Sequence, residues 1–292
     1  MKKILTIIVT YNGMEWIDKC LSTLSESTIE TEILVIDNDS SDDTVDFIKD
    51  NYPSIHIVES GENLGFGKAN NIGLKRALEE AYDFVLLLNQ DCYLDKDAIR
   101  KMMAHCDDDV GILTPIHLNA EGTNFDRNFF TFLRRYETYE NNILKDFVFE
   151  KPRDYYDWGF INAACWFMPL KTIEHVGGFN PLFKHYGEDR DYCNRVRYHN
   201  LRIRVIPNTF VRHDRDNRLK NSNSKDICFR SALIDILDIN ISYSTISSVG
   251  NLLKTIKKSS SKHDDVLRLI RMRSDIEESR RLTIKKTPAF LK

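Results

Sequence analysis

Polar side chains follow three short apolar runs in the first hundred residues, each at the point where the run ends. The polar groups are Thr10-Tyr11-Asn12 after residues 4–9, Asp37-Asn38 after 33–36 and Asn89-Gln90-Asp91 after 84–88. If the runs are parallel strands, their carboxyl ends meet at one edge, where open α/β sheets bind ligands. An Asp there suits a hard divalent cation bound to phosphate oxygens. The pattern predicts a site for a phosphorylated, metal-bound substrate, although each group alone is also typical of turns.

A second acidic cluster comes later in the chain. Gly187 precedes Glu188-Asp189-Arg190-Asp191, and a helix is predicted over residues 189–199. Crowded carboxylates in a half-buried position have raised pKa values, so one of them could act as a general base. The alternative is a helix N-terminus whose acidic side chains interact with the helix dipole. His213 follows the last predicted strand and could give a metal a neutral imidazole ligand, or it could be structural.

A glycine-rich segment, Asn63-x-Gly65-x-Gly67-x-x-Asn70-Asn71-x-Gly73, leads into a predicted helix. Its backbone N–H groups could approach a phosphate at the helix N-terminus. The glycine spacing does not fit the dinucleotide fingerprint G-x-G-x-x-G, and the segment follows a third strand rather than a first. A close contact between helix and strand would explain the glycines equally well.

Strand-like and helix-like patterns alternate along the first hundred residues, which predicts βαβ units and an α/β fold with a mostly parallel sheet. Further strands are predicted at 163–168 and at 201–206, where Pro207 ends the run. Residues 115–155 mix Phe, Tyr and Arg without a sustained period. They are predicted to form a mobile insertion on the acceptor side of the site.

The composition excludes several classes of protein. Among 292 residues, 41 are Lys or Arg and 44 are Asp or Glu, so the chain is no polycation and nucleic acid is not an expected partner. The six cysteines form no C-x-x-C pair, which favours reduced thiols and a cytoplasmic location. The apolar run at 4–9 lacks a small-residue cleavage site and is predicted to be a first strand rather than a signal peptide. No stretch approaches the ~18 apolar residues of a membrane span.

The C-terminal part has apolar residues at helical spacing from 227 to 256. The composition becomes polar between His213 and Lys225, which predicts one domain over 1–215 and a helical extension over 216–292. From Lys254 to Lys292 there are twelve Lys or Arg against five Asp or Glu. Such basic helices could rest on anionic lipid at the inner face of the plasma membrane, or they could be an ordinary solvated helical pair.

As an ordered set, these motifs resemble the family 2 glycosyltransferases, most closely the bacterial rhamnosyltransferase-like branch. The resemblance covers residues 3–215. The matching segments are Ile8-Val9-Thr10-Tyr11-Asn12, Val35-Ile36-Asp37-Asn38, Asn63-Leu64-Gly65-Phe66-Gly67, Leu86-Leu87-Leu88-Asn89-Gln90-Asp91, Asp157-Trp158-Gly159, Val176-Gly177-Gly178-Phe179, Glu188-Asp189-x-Asp191-x-Cys193-x-Arg195 and Pro207-x-x-x-x-x-His213. The resemblance implies a GT-A type nucleotide-sugar-binding fold, with a mostly parallel central sheet flanked by helices.

It also implies an activity: inverting transfer of a sugar from a UDP- or dTDP-sugar to a hydroxyl of a glycan or lipid-linked glycan, in bacterial cell-surface polysaccharide synthesis. Asp189 would be the catalytic base, and Asp91 with His213 would bind Mn²⁺ or Mg²⁺. Trp158 is a candidate for stacking on a sugar, although a buried core Trp is the more frequent role. The expected substrate-binding residues are Thr10, Tyr11, Asn12, Asp37, Asn38, Gly65, Asn70, Asn89, Gln90, Trp158, Glu188 and Asp191.

Two positions depart from the family pattern. Asn89 stands at the first Asp of D-x-D, and Asn70 stands where many members have Arg, which weakens a basic diphosphate contact there. Two other functions compete. A sugar nucleotidyltransferase would carry Gly, Arg and Lys after the first strand, where this chain reads Tyr11-Asn12-Gly13. A non-catalytic nucleotide- or glycan-binding relative is favoured only by Asn89.

Overall fold

The computed structural model describes residues 2–215, 226–241 and 262–291. The described strands form one sheet of nine, in the order β3-β2-β1-β4-β8-β6-β9-β5, with β7 paired to β9. The strands are β1 Ile4–Thr10, β2 Glu32–Asp37, β3 His56–Glu59, β4 Phe84–Asn89, β5 Cys92–Leu94, β6 Val110–Leu118, β7 Tyr156–Trp158, β8 Cys165–Pro169 and β9 Arg202–His213.

Helices cover both faces of this sheet. In the first 215 residues they are α1 Ile17–Ser25, α2 Thr44–Asn51, α3 Phe66–Glu79, α4 Ala98–Ala104, α5 Arg127–Tyr136, α6 Ile143–Val148, α7 Leu170–Val176 and α8 Glu188–Tyr198. The C-terminal part contains α9 Ile227–Leu237, α10 Lys262–Arg271 and α11 Arg273–Ile284. No described helix is long and apolar enough to cross a membrane.

The first half of the sheet is parallel, as predicted. β1 lies between β2 and β4, and Val9 is in register with Asn89 while Thr10 is in register with Asp37. Side chains alternate between two cores: Ile7 packs toward α3 and α8, and Ile8 packs toward α1 and α4. Burial on both faces explains why these strands are continuous apolar runs. The carboxyl ends of β1, β2 and β4 therefore lie side by side.

The second half of the sheet is mixed. β8 is antiparallel to β4 and β6, whereas β9 is parallel to β6 and antiparallel to β5 and β7. The prediction that Pro207 ends the last strand was wrong, because β9 continues to His213. Opposite β6 the register jumps from Ile206 to Phe210, so the proline lies in an irregularity of the ladder. A residue without an N–H is tolerated at such a place.

The segment 115–155 is more regular than predicted. It contains the end of β6 and the helices α5 and α6. Asp126 caps α5 by accepting a bond from Phe129 N (2.8 Å), and Asn142 caps α6 in the same way. Phe129 and Leu133 are buried one turn apart, while other aromatic residues of α5 stay partly exposed. The exposed aromatic residues conceal the helical period of the sequence.

The described C-terminal helices pack on the segment that precedes α8. Phe183 lies in one apolar cluster with Phe229, Leu233 and Leu269. The tail beyond α11 also contacts the first domain, since Gly178 N donates to Ala289 O (2.8 Å). The predicted boundary between 215 and 216 falls at the end of a described range. The predicted apolar positions 252, 253 and 256 lie outside the described residues.

Candidate active site

Asp37 joins the ends of β1 and β2. Its buried carboxylate accepts bonds from Thr10 Oγ1 (2.8 Å), Ser40 N (2.9 Å) and Ser40 Oγ (2.6 Å). A carboxylate has about four lone-pair positions, so one more donor, such as a ribose or base group, could still bind. Thr10 is fully buried, and its hydroxyl is engaged by Asp37. Of Thr10 and Asp37, only Asp37 can therefore still accept a hydrogen bond from a ligand.

Tyr11 presents its ring at this edge of the sheet. Tyr11 is 48% exposed. Its backbone N–H and its backbone C=O both bond to the side-chain amide of Gln90. Gln90 Oε1 accepts from Tyr11 N (2.9 Å), and Gln90 Nε2 donates to Tyr11 O (3.2 Å). Gly13 gives this amide room, because a Cβ there would lie 2.4 Å from Gln90 Oε1. The geometry leaves the Tyr11 ring available for stacking and assigns Gln90 to positioning it.

Asn12 and Asn38, which were also predicted to bind substrate, brace loops in this structure. Asn12 Oδ1 accepts from Ser41 N (2.8 Å). Asn38 Oδ1 accepts from Leu64 N (2.8 Å), and its Nδ2 donates to Asn63 Oδ1 (3.1 Å). Both side chains thus fix the loops that follow β2 and β3 around the site.

The glycine-rich loop at residues 63–67 packs closely against the segment that precedes α8, at Phe179 and Lys184. Gly65 has φ +80°, and a Cβ there would lie 2.2 Å from Lys184 O. A Cβ at Gly67 would lie 2.9 Å from Phe179 Cβ. Asn70 is buried and donates to Phe66 O (2.9 Å), so its amide is used within α3. The missing side chains of Gly65 and Gly67 thus let the chain at Lys184 and Phe179 approach closely.

Replacing Gly65 with alanine should lower the free energy of unfolding by roughly 2–4 kcal/mol, because strain at positive φ adds to a clash with a backbone carbonyl. Gly61 is the matched control. It has φ +71°, but a Cβ there meets nothing within 4 Å. Gly61→Ala should therefore lose only the left-handed backbone strain, about 1–2 kcal/mol. Urea denaturation of the two variants checks this, and equal losses would mean that Gly65 does not approach Lys184.

Asp91 and His213 form a buried pair beyond the ends of β4 and β9. His213 Nε2 lies 3.4 Å from Asp91 Oδ1, and Asp214 N donates to Asp91 O (2.8 Å). Cys92 is opposite His213 in the β5–β9 pairing, and ligand atoms of all three residues lie within 4.8 Å of one another. Two ligands at right angles on a divalent ion, at ~2.1 Å each, are separated by ~3 Å. The carboxylate and imidazole thus fit a Mn²⁺ or Mg²⁺ ion.

The acidic cluster begins α8 directly after Gly187, whose φ is +98°. Burial, and then the Asp189 carboxylate, raise the pKa of Glu188 to about 8. Burial raises the pKa of Asp189 to about 6, although part of this residue still contacts solvent. The N–H groups of Arg190 and Ala163 face the Asp189 carboxylate and act in the opposite direction. A carboxylate with a pKa near 6 has the basicity that a general base needs near neutral pH.

Asp189 and the Asp91 pair are linked through the end of β4. Asn89 N donates to Ala164 O (2.9 Å), and the neighbouring Ala163 N–H faces Asp189. The Asn89-Gln90-Asp91 turn therefore starts beside the residues that contact the candidate base. The backbone of Asn89 is used in this link, and its side chain is partly exposed.

Two predicted substrate residues lie in the core instead. Asp191 is buried, and its Oδ2 accepts from Arg195 Nε (2.8 Å), while Arg195 donates to the carbonyls of Val176 and Gly178 (both 2.8 Å). The Asp191 carboxylate is thus paired with Arg195 inside the core. Trp158 is only 5% exposed and packs among Phe129, Leu133 and other side chains of the α5 core. Little of its ring is accessible, and its stacking on a sugar stays a prediction.

Glu188 predicts a distinct dependence of stability on pH. Its folded-state pKa is raised from 4.5 to about 8, so the folded chain holds a proton that the unfolded chain releases. Stability should therefore fall as the pH rises from about 4.5 to 8. In Glu188→Gln this loss should be absent, and the variant should melt a few degrees above the wild type at pH 8 but not at pH 5.

Melting curves at several pH values test this, and Glu174→Gln on α7 is the control because Glu174 is exposed. If the melting temperatures of Glu188→Gln and of the control change with pH as that of the wild type does, Glu188 is not protonated in the folded protein.

Residues to which the sequence assigned no role also border the site. Asp126 lies against His213, as described below, and Arg190 donates to Tyr136 Oη and packs over the Phe160 ring (4.9 Å). Arg230 of α9 lowers the pKa of Glu188 from outside the first domain. Only Arg190, inside the motif, gave a sequence signal.

The sheet, with polar residues gathered at the carboxyl ends of β1, β2 and β4, defines an α/β protein, and comparison with known families shows which one. The profile of "Glycosyl transferase family 2" matches residues 6–168, more than half of the chain. The chain belongs to this family, so the predicted family is confirmed, and membership leaves no support for the nucleotidyltransferase alternative.

Among curated relatives, the chain is 28% identical over 209 residues to the low-salt glycan biosynthesis hexosyltransferase Agl10 of Haloferax volcanii, which covers 68% of this chain and 62% of that protein. It is 25% identical over 124 residues to the dTDP-rhamnosyl transferase RfbF of Shigella flexneri, covering 42% of this chain and 41% of that protein. The chain thus spans less than two thirds of the length of either relative.

Solved structures confirm the predicted GT-A fold. Residues 1–349 of Staphylococcus aureus TarS in complex with UDP-GlcNAc align with a TM-score of 0.59 at 17% identity, over 97% of this chain and 90% of that one. The mannosyltransferase PcManGT of Pyrobaculum calidifontis in complex with GDP-Man and Mn²⁺ aligns with a TM-score of 0.56 at 16% identity, over 97% and 72%.

Proposed function

We propose that this chain is a metal-dependent, inverting glycosyltransferase that moves a sugar from a nucleoside-diphosphate donor to a hydroxyl of a glycan or lipid-linked glycan. The observation that carries the proposal is the junction at the end of β4. There the buried Asp91–His213 pair and the raised-pKa carboxylate of Asp189 are linked through Asn89 and Ala163. One group suits the donor diphosphate with its cation, and the other suits an acceptor proton.

In the proposed reaction, Asp189 removes the proton from an acceptor hydroxyl as its oxygen attacks the anomeric carbon. The nucleoside diphosphate leaves from the opposite face, which inverts the configuration. A divalent cation held by Asp91 and His213 would offset the charge that develops on the departing diphosphate. Tyr11 and Asp37 would hold the nucleoside by ring stacking and by hydrogen bonding. Gln90 keeps Tyr11 in place for this role.

Three nucleotides are candidates for the activated end of the donor sugar. The resemblance favours a UDP- or dTDP-sugar, and the solved relatives include complexes with UDP-GlcNAc and with GDP-Man. We therefore propose a screen of UDP-, dTDP- and GDP-sugars, with Mn²⁺ and without. A matching donor should raise the melting temperature by mass action.

The decisive assay measures nucleoside diphosphate released from each donor in the absence of acceptor. Slow, metal-dependent release by the wild type, abolished by EDTA and restored by Mn²⁺, is the expected result. The same assay separates the enzyme from a non-catalytic binding relative, because a degenerate site would bind a donor without releasing the diphosphate. Absence of release with every donor would contradict the proposed activity.

The C-terminal helices are proposed to be a separate helical extension, over residues 216–292, that supports a cytoplasmic enzyme at the inner face of the membrane. Within the described residues, Arg230 of α9 approaches Glu188. Phe183 packs against apolar side chains of α9 and α10. Several basic side chains are already paired with acids, among them Arg268 with Asp226 (3.2 Å) and Arg281 with Glu278 (2.6 Å). Flotation with anionic vesicles at low and high salt tests the membrane contact.

A further inference from the structure

Asp126 lies on the far side of the His213 ring from Asp91. Its Oδ2 is 3.7 Å from His213 Nδ1, while His213 Nε2 faces Asp91 Oδ1 at 3.4 Å. All three side chains are at most 2% exposed. Neither ring nitrogen of His213 makes a hydrogen bond to the described residues in the present geometry. The imidazole thus sits between two buried carboxylates.

We propose that Asp126 is a positioning residue for His213, which it orients by accepting a hydrogen bond from Nδ1–H. The inference rests on the proposed function, because it assigns His213 to the cation site. A ring that carries its proton on Nδ1 offers the Nε2 lone pair to the ion beside Asp91. Carboxylates that hold a histidine ligand in this way fix its tautomer and direction, and their loss weakens metal binding 10- to 100-fold.

The surroundings of Asp126 suit this role. Its other oxygen, Oδ1, caps α5 through Phe129 N (2.8 Å), so the carboxylate is fixed in place by the helix. Arg215 Nη1 lies 3.8 Å from Oδ2, and its charge offsets the cost of burying the carboxylate. The His117 ring stacks on Phe129 (4.6 Å) and meets the His213 ring edge-on (6.4 Å). A shift of about half an ångström would bring Nδ1 and Oδ2 into hydrogen-bond range.

The Asp126–His213 contact connects two parts of the proposed site. Asp126 is the N-cap residue of α5, which belongs to the segment predicted to contact the acceptor. His213 belongs to the proposed cation site for the donor. One carboxylate therefore ties the start of α5 to the orientation of a metal ligand.

The first test compares Mn²⁺ affinity by calorimetry in the full-length wild type, Asp126→Asn and Asp126→Ser. Asn and Ser are helix caps as good as Asp, so α5 should keep its first turn. The proposal expects Mn²⁺ binding 10- to 100-fold weaker in both variants. Asp146→Asn is the matched control: Asp146 is also a buried carboxylate of this segment, but it pairs with Tyr156 and Arg153.

Equal Mn²⁺ affinity in the wild type and in the folded Asp126 variants would overturn the proposal, as would an equal loss in Asp146→Asn. A second measurement needs no variant: ¹⁵N NMR of the wild type should show the Nδ1–H tautomer for His213, and the Nε2–H tautomer would overturn the proposal. These results are separable from the proposed function. A wild type that releases nucleoside diphosphate, with unchanged Mn²⁺ affinity in Asp126→Asn, would retain the activity and reject only this inference.

Discussion

Asp189→Asn should slow sugar transfer about 10²- to 10⁴-fold, because the amide cannot take the acceptor proton while its size and position are nearly those of the carboxylate. Donor affinity should stay close to that of the wild type, since Asp189 does not belong to the Asp91–His213 pair. Transfer rates at saturating donor, together with calorimetric donor binding, make the measurement. Wild-type turnover in this variant would remove Asp189 as the base.

The neighbouring Asp191 provides the control for this result. It pairs with the buried Arg195, so Asp191→Asn should lower the melting temperature by leaving a buried charge without its partner. Its folded fraction should still transfer sugar. In the wild type, the rate should also fall as the pH drops below about 6, because the pKa of Asp189 is raised to about 6 and protonation removes the base. A flat profile down to pH 4.5 would contradict this assignment.

Asp91→Asn should weaken Mn²⁺ binding at least ~10²-fold, since loss of a direct ligand costs more than the 10- to 100-fold loss of an outer partner. Metal-dependent donor binding should fall with it, while the near-isosteric amide keeps the buried site filled. Calorimetry of Mn²⁺ and of donor, each with the other present and absent, separates the two effects.

His213→Gln should give the same pattern, because both residues would hold one ion. Cys92→Ser is the comparison variant, since Cys92 lies in the same cluster but a thiol is a poor ligand for Mg²⁺ or Mn²⁺. Strong Mn²⁺-dependent donor binding in Asp91→Asn would move the cation elsewhere.

The sequence predicted the parallel half of the fold well, for a physical reason. β1, β2 and β4 are buried on both faces, so their β-branched and leucine runs are continuous, and the polar residues that follow mark the ligand edge. The mixed half was harder. The continuation of β9 past Pro207 depends on an irregularity opposite β6, and the burial of Trp158 depends on the packing of α5. Neither has a local signature.

The site was predicted in part. Asp91, His213 and Asp189 lie around the end of β4, but Gln90, Asn12 and Asn38 use their side chains to hold loops. The Asp191–Arg195 pair could have been predicted, because the two residues are four positions apart on a helix and such pairs commonly form. Asp126 could not, since its contact with His213 joins distant parts of the chain.

The most direct measurement is a crystal structure of the full chain with Mn²⁺ and a non-transferable analogue of the donor chosen by the screen. We expect an anomalous manganese peak between Asp91 and His213, the base of the nucleoside on the Tyr11 ring, and the anomeric carbon facing Asp189 with room for one hydroxyl between them. A manganese peak away from Asp91, or a sugar separated from Asp189 by packed side chains, would contradict it.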